Sequence, residues 1–188
     1  MKMIKTRNAL KICYYMMAAD GLVQDSERAK FDELGVMLDE QFPKYKEQLV
    51  WECKQKGLFS PDREIVFLIM DYVEKELEEG IVDSIFEDTI PGRLLIWNML
   101  TIALCDKDYS DAEKRVIHDA VRLLEIDEAD FREMEHTLIA ANAVAREESF
   151  LKEAEQGNPD IQLQLKNLKE RGRIISANAR EQIRKKEQ

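Results

Sequence analysis

The sequence predicts an all-α fold, in which a helical bundle of two related halves is followed by a C-terminal helical extension. Only seven Gly and four Pro occur among 188 residues, while strong helix formers such as Leu, Glu and Lys abound. Apolar residues recur at helical spacing along most of the chain. A loop-into-helix motif occurs twice, 86 residues apart, and such a repeat indicates a duplicated structural unit.

Four helices are predicted in the first half: one over about residues 4–19, one that starts near Asp25, one over residues 45–56, and one that starts at Ser60-Pro61 and stops at Gly80. Pro43 and Gly57 separate the second, third and fourth, and Ser60-Pro61 is a favoured helix start because it combines a capping hydroxyl with proline at the first helical position. Trp51 and Trp97 lie in apolar helices, so we expect them in the core. The apolar residues expected to face inward are Ile12, Tyr15, Met16, Phe31, Leu34, Met37, Leu38, Leu49, Val50, Cys53, Ile65, Leu68, Ile69, Tyr72 and Val73.

The second half begins with a short helix predicted over Val82–Asp88. The apolar helix Leu94–Cys105 is the counterpart of the first helix, and a capping box at Ser110 and Glu113 starts a helix that runs to about Leu124. Asp127 can cap the next helix. Gly157 to Pro159 break the chain before a last helix, whose narrow apolar stripe comprises Ile161, Leu165, Leu168 and Ile175.

Charge argues against a nucleic-acid-binding body, because the net charge is −10 and phosphate contacts need a basic surface. Residues 171–188 differ, since they carry six basic and two acidic side chains and leave −14 for the rest. Such a tail can fold back on the body, bind an acidic partner, or be frayed and solvated. The last of these is the interpretation we favour from the sequence.

Several functional classes lack their sequence signals. The longest apolar stretch has 12 residues, whereas a membrane span needs about 20, and no signal peptide is expected, so we predict a cytoplasmic protein. Three separated cysteines and two histidines form no zinc-ligand pattern. Neither a Gly-rich phosphate loop nor a G-x-S-x-G motif occurs, so no enzyme activity is predicted.

The duplicated motif is acidic and lies between helices in both copies. The matching carboxylates are Asp20, Asp25 and Glu27 in the first copy, and Asp106, Asp111 and Glu113 in the second. Asp at the C-terminal end of a helix faces the negative end of the macrodipole, and a bound cation would remove that penalty. Oxygen ligands suit a hard divalent ion such as Ca²⁺ or Mg²⁺. The candidate metal ligands are Asp20, Glu27, Asp106, Asp108 and Glu113.

Helix capping is the alternative interpretation of the same residues. Glu113 is already explained by its capping box, and Asp beside a turn commonly bonds the following backbone. In the first copy Gln24 is a poor cap, so either Asp25 caps that helix or Glu27 is a ligand. An EF-hand is excluded because Asp111 replaces the required Gly and Ile117 the bidentate Glu.

The first copy, Ala18-Ala19-Asp20-Gly21-Leu22-Val23 through Glu27, resembles the TerB family of tellurite-resistance proteins, and the second copy resembles it too. The resemblance covers roughly residues 8–140. It implies an all-helical domain of two related halves whose acidic residues bind divalent metal, carried over here to Asp20, Glu27, Asp106 and Glu113. Lys107 stands where the family pattern has Gly, and its ammonium could itself satisfy that helix end.

We therefore predict a TerB-like helical domain over residues 1–145 and a helical extension with a basic tail over residues 146–188. The expected function is that of a non-enzymatic stress-response protein, of the tellurite-resistance type, that binds a divalent cation and serves as a protein-interaction scaffold. The alternative is a plain helical interaction module, or a co-chaperone-type domain, without metal. A protein partner is expected, and the last helix offers a route to a homo-oligomer.

Overall fold

A computed structural model describes residues 2–56, 65–82, 88–105, 109–154 and 159–184 of the chain. Within these ranges helices dominate, which confirms the all-α fold class. The elements are β1 (Met3–Lys5), α1 (Thr6–Met17), α2 (Asp25–Leu38), α3 (Phe42–Lys54), α4 (Ile65–Gly80), β2 (Ile81–Val82), β3 (Thr89–Pro91), α5 (Gly92–Ala103), α6 (Asp111–Leu123), α7 (Glu128–Ala154) and α8 (Pro159–Arg184).

Helix α1 is the centre of the first compact unit, which extends to Asp127. It packs against α2, α3, α4, α5 and α6, and Ile12, Tyr15 and Met16 are fully enclosed. A helix that is apolar around most of its circumference is stable only when neighbours cover it on several sides. The apolar sequence of α1 therefore accounts for its central position.

An aromatic cluster joins α1, α2 and α3. The Phe31 ring lies edge-on to Tyr14 at 5.8 Å and to Phe42 at 5.5 Å between centroids, and Phe42 meets Tyr45 at 5.7 Å. Aromatic rings prefer this edge-to-face geometry because ring edges are positive and faces negative. Gly35 of α2 allows the Phe42 ring to approach the helix backbone.

The sequence did not predict the small antiparallel sheet, whose strand order is β2-β1-β3. Met3 pairs with Val82 and Pro91, and Ile4 pairs with Ile81 and Ile90. The helix expected from Ile4 therefore begins at Thr6, and the short helix expected from Val82 is wrong at its first residue, which is in β2. Periodicity within one segment cannot reveal pairing between segments about 80 residues apart. The last residue of that short helix, Asp88, is in a turn, and residues 83–87 lie outside the described residues.

Several residues expected in the core are on the surface. Met37 is 74% exposed and Trp51 is 61% exposed, and Leu68 is exposed too. Trp97 is only partly buried. Helical periodicity finds an apolar stripe but not its width, so residues at the margin of a stripe are easily misassigned. The Ser60-Pro61 helix start lies outside the described residues.

The second compact unit consists of α7 and α8, which form an antiparallel helical hairpin. Thr137 accepts a hydrogen bond from Gln182, and Glu147 lies near Arg171, so early residues of α7 meet late residues of α8. Leu165, Leu168 and Ala179 of α8 are buried. The apolar stripe of the last helix thus packs on α7 within the same chain, and the tail is helical as far as Arg184 rather than frayed.

The compact units divide between Asp127 and Glu128. The predicted boundary after residue 145 falls inside α7, which continues without interruption to Ala154. The Ala-rich segment near residues 140–145 has strong helix propensity, so it extends this helix and marks no domain limit.

Candidate metal centre

Asp20 stands in the loop between α1 and α2, and its side chain is exposed. Its Oδ1 accepts a hydrogen bond from the Leu22 backbone N–H at 2.8 Å. The turn requires Gly21 to adopt a φ of +84°, a conformation that glycine enters without a steric penalty. Asp20 therefore makes the local turn contact that the capping interpretation predicted.

Glu27 and Glu113 occupy equivalent positions in the first turns of α2 and α6. Glu27 Oε2 accepts the Gln24 N–H at 2.8 Å, and Glu113 Oε2 accepts the Ser110 N–H at 2.7 Å. Ser110 Oγ in turn accepts the Glu113 N–H at 3.2 Å, which completes the second capping box. Both glutamates thus satisfy N–H groups that a helix start otherwise leaves unpaired.

Burial distinguishes these two glutamates from ordinary capping residues. Glu27 is 4% exposed and Glu113 is 2% exposed, although glutamate is rarely buried unless it is paired. The starts of α2 and α6 bring the two side chains close enough for a side-chain interaction with Glu27 to act on the pKa of Glu113. Two carboxyl groups from the two copies of the motif therefore meet in the interior.

The environment raises the pKa of Glu113 above its ordinary value, and burial is the main cause. The negative charge of Asp20 also raises the pKa of Glu113, so the Asp20 carboxylate is close enough to Glu113 to repel its charge. Hydrogen bonds from Ser110 and Glu27 oppose the shift but do not cancel it. The positive ends of the α2 and α6 dipoles also favour negative charge here.

Two adjacent buried carboxyl groups cannot both remain ionised at low cost. One of them can hold a proton and donate it to the other, or a cation can neutralise both. Carboxylate oxygens suit hard divalent ions, so the donor type fits Ca²⁺ or Mg²⁺. Such ions take six or more ligands, and Mg²⁺ commonly keeps several waters.

The other carboxylates of the two motifs, whether or not they were predicted as ligands, have different outcomes. Asp106 and Asp108, and the neighbouring Lys107, lie outside the described residues. Asp25 is exposed, and Asp111 is 91% exposed and pairs with Lys114 at 3.2 Å. Among the side chains that the structure describes, no group of three or more His, Cys, Asp or Glu is arranged to hold a metal ion. The described part of the centre is thus the Glu27–Glu113 pair with Asp20 nearby.

A third buried acidic residue, Glu76, was not anticipated from the sequence. Glu76 of α4 accepts hydrogen bonds from Asn8 at 2.8 Å and from Lys11 at 3.3 Å, and Lys11 also reaches Glu52 of α3. This network ties α1 to α3 and α4. The signal was present, because Glu76 continues the apolar stripe of Ile69 and Val73, and a charged residue on a core-facing stripe predicts a buried ion pair.

Two of the three cysteines are buried in the core and have unreactive thiols. Burial raises the pKa of the Cys13 and Cys53 thiols to about 12, so both are protonated at neutral pH, and the thiolate is the nucleophilic form. They serve as small apolar core residues, as the sequence predicted. Cys105 is partly buried and is not part of a disulfide.

No helix in the described ranges combines the length and the apolar character that crossing a membrane requires. Comparison with known proteins gives no match to a family model, a curated protein or a solved structure. The TerB resemblance therefore stays a prediction based on the residues of the motif.

Proposed function

We propose that this protein is a non-enzymatic, TerB-like stress-response protein that binds one divalent cation where its two acidic loops converge. The observation that supports this most is the meeting of Glu27 and Glu113, since a buried pair of carboxyl groups needs either a proton or a cation to offset its charge. The stress-response part of the proposal rests on the resemblance of the two acidic motifs to the TerB pattern.

The proposed ligands are Glu27 and Glu113, with Asp20 at the edge of the centre. Asp106 and Asp108 complete the predicted set. The cation supplies positive charge between the two carboxylates and thereby links the start of α2 to the start of α6. We propose that the bound ion stabilises the junction of these two helix starts, so that the folded domain serves as a scaffold for a protein partner rather than activating a substrate.

A thermal unfolding titration tests the proposal. A ligand that binds only the native state at 100 times its dissociation constant adds about 2.7 kcal/mol to the free energy of unfolding. We expect Ca²⁺, Mg²⁺ or Mn²⁺ to raise the melting temperature of the wild-type protein in proportion to the logarithm of its concentration. Glu27→Gln/Glu113→Gln should abolish the response, and its glutamines can keep the capping hydrogen bonds.

The matched control is Asp25→Asn/Asp111→Asn, which removes the same two charges from exposed positions in the same two first turns. It should keep the cation response of the wild type. If both double variants respond like the wild type, the ion binds elsewhere and the proposal is wrong.

A metal-free interaction module is the second candidate, and one observation favours it. Glu27 and Glu113 each already accept a backbone N–H from their own capping box, which is the structural role that helix starts require. This candidate predicts that no divalent cation changes the melting temperature of the wild-type protein at any concentration up to the millimolar range.

A further inference from the structure

The solvent-facing side of α8 carries a line of basic residues that the functions above do not use. The line consists of Lys166, Lys169, Arg173, Arg180 and Arg184, and all five are exposed. We refer to these five residues as the basic stripe. Successive members are three, four, seven and four residues apart, which keeps them on one side of a helix.

The basic stripe is narrow and contains no acidic residue. Each residue advances about 100° around an α-helix, so the five side chains fall within an arc of about 60°. Among residues 159–184, Gln162 is the one other residue in that arc. Glu170 and Glu181 lie outside it. From the first to the last member the stripe extends about 27 Å along the axis, at 1.5 Å per residue.

Folding of the hairpin accounts for only part of the basic stripe. Lys169 lies close enough to Glu148 of α7 to assist Lys152 in lowering the pKa of that carboxyl group, and Arg180 and Arg184 line a cavity with Glu133 of α7. The face of α8 that packs on α7 is a different one, formed by Leu165, Leu168 and Ala179. Arg171, which approaches Glu147 of α7 at 3.9 Å, is not a member. Arg173 pairs with Glu170 of its own helix at 3.1 Å, with both side chains largely exposed, and such a pair contributes little to stability.

We propose that the basic stripe is a docking surface for an acidic helical segment of a partner protein. Carboxylates repeated at alternating spacings of three and four residues form a straight line of the same kind on another helix. Two such lines can meet along their whole length and pair charge with charge. This complementarity would set the specificity and the association rate more than the affinity.

Other polyanions fit the surface less well. A duplex nucleic acid presents phosphates on two diverging strands, whereas the cations form one straight line, and the net charge of −10 opposes a densely charged polymer. A helix that lies on a membrane inserts an apolar face between basic flanks, but the apolar face of α8 is already buried on α7. An acidic protein helix matches both the line and the modest charge.

The experiment uses the full-length protein and a synthetic Ala- and Gln-based helical peptide of about 21 residues, long enough for the stripe at 1.5 Å per residue. Its glutamates repeat at alternating spacings of three and four residues. A scrambled peptide of identical composition, with glutamates distributed around the helix, tests whether binding requires the glutamates to lie in one line. Fluorescence anisotropy at low ionic strength should show binding of the striped peptide that is roughly tenfold tighter than that of the scrambled one, and high salt should abolish it.

Two protein variants with the same net charge complete the design. Lys166→Gln/Arg173→Gln/Arg180→Gln/Arg184→Gln removes four members of the stripe, and Gln preserves helix propensity, which circular dichroism verifies. The control, Lys44→Gln/Lys75→Gln/Arg132→Gln/Lys152→Gln, neutralises four exposed cations elsewhere. The stripe variant should lose peptide binding, and the control should keep it.

Three outcomes would overturn the proposal. Equal loss in both variants would show that net charge, rather than the stripe, drives binding. Equal affinity for the striped and scrambled peptides would remove the geometric argument. Stripe-dependent binding of a duplex DNA or of phosphatidylserine vesicles, without binding of the striped peptide, would assign the surface to a different class of partner.

Discussion

Glu113, in the first turn of α6, and Glu27, in the first turn of α2, are both buried, and their side chains interact so that Glu27 acts on the pKa of Glu113. Each residue also caps its own helix. Each of these glutamates thus has two roles, because it caps the start of its own helix and interacts with the matching glutamate of the other motif copy. Local capping fixes the side-chain direction, and α1 and α5, which each contact both α2 and α6, hold the two helix starts near each other.

Replacing Glu113 with Gln tests the electrostatic cost of this pair. The pKa of Glu113 in the folded protein is raised above 4.5, its ordinary value, so the folded state holds the proton more tightly than the unfolded chain. The associated stability is complete below pH 4.5 and is lost as the pH rises through the folded pKa. With a chelator at pH 7.5, Glu113→Gln should therefore melt at a higher temperature than the wild type, and the difference should vanish near pH 4.

Glu113→Gln also tests whether a proton or a divalent cation neutralises the Glu27–Glu113 pair. Saturating Mg²⁺ or Ca²⁺ should reverse the order at pH 7.5, because the wild type gains ion binding and Glu113→Gln loses a ligand. Asp111→Asn removes an exposed charge from the same turn. Its melting temperature should equal that of the wild type both with chelator and with saturating cation. If the wild type melted at a higher temperature than Glu113→Gln with chelator at pH 7.5, an ionised Glu113 would not destabilise the folded protein, and this prediction would be wrong.

The two capping positions should differ in stability contribution. Ser110 Oγ accepts the Glu113 N–H, so Ser110→Ala should lower the free energy of unfolding by about 1 kcal/mol. Gln24 is a residue type with little capping preference, so Gln24→Ala should cost a few tenths of a kcal/mol at most. Urea denaturation of both variants measures the difference. Similar losses would mean that Gln24 caps α2 as well as serine would.

Local features of the centre could be predicted from the sequence, whereas its long-range geometry could not. The box at Ser110 and Glu113 and the turn at Asp20 involve residues two or three positions apart, so sequence patterns contain them. The proximity of Glu27 to Glu113 depends on how two helices 86 residues apart pack, which no local pattern specifies. Whether three or more carboxylates converge is likewise a property of the tertiary structure.

The helices show the same limit. The start of α6 at Asp111 was predicted almost to the residue because its cap is local. The start of α1 was misplaced, since Met3 and Ile4 form ladder hydrogen bonds with strands far along the chain. Burial of Glu76 beside Lys11 also depends on three helices at once. Tertiary contacts therefore override local propensity at the places where the sequence reading differs from the structure.

Lys11→Met should strongly destabilise the first unit. It leaves the buried carboxylate of Glu76 without its cation, and breaking a buried pair from one side costs about 3 kcal/mol. Lys11→Met/Glu76→Met should recover part of that loss, because the unpaired charge is then absent. Thermal or urea unfolding of the two single variants and the double variant forms the required cycle. Additive losses would show that the two side chains do not interact.

Two glycine positions in helices should respond in opposite directions to the same substitution. A Cβ on Gly35 would overlap the buried Phe42 ring, and a shift of that ring would disturb the aromatic contacts with Phe31 and Tyr45, at a cost of about 1–3 kcal/mol. A Cβ on Gly172 would meet Val144 Cγ1 at 3.7 Å, which is ordinary contact. Gly172→Ala should then stabilise α8 by up to about 1 kcal/mol, the propensity difference between alanine and glycine.

Urea denaturation followed by circular dichroism checks both changes, since each affects a helix. Gly35→Ala and Gly172→Ala serve as controls for each other, because both add a methyl group within a helix. If Gly35→Ala were as stable as the wild type, the close approach of Phe42 to the backbone of α2 would not be needed for the packing of the aromatic cluster. If Gly172→Ala were destabilising, α7 and α8 would pack more tightly at that point than a 3.7 Å contact implies.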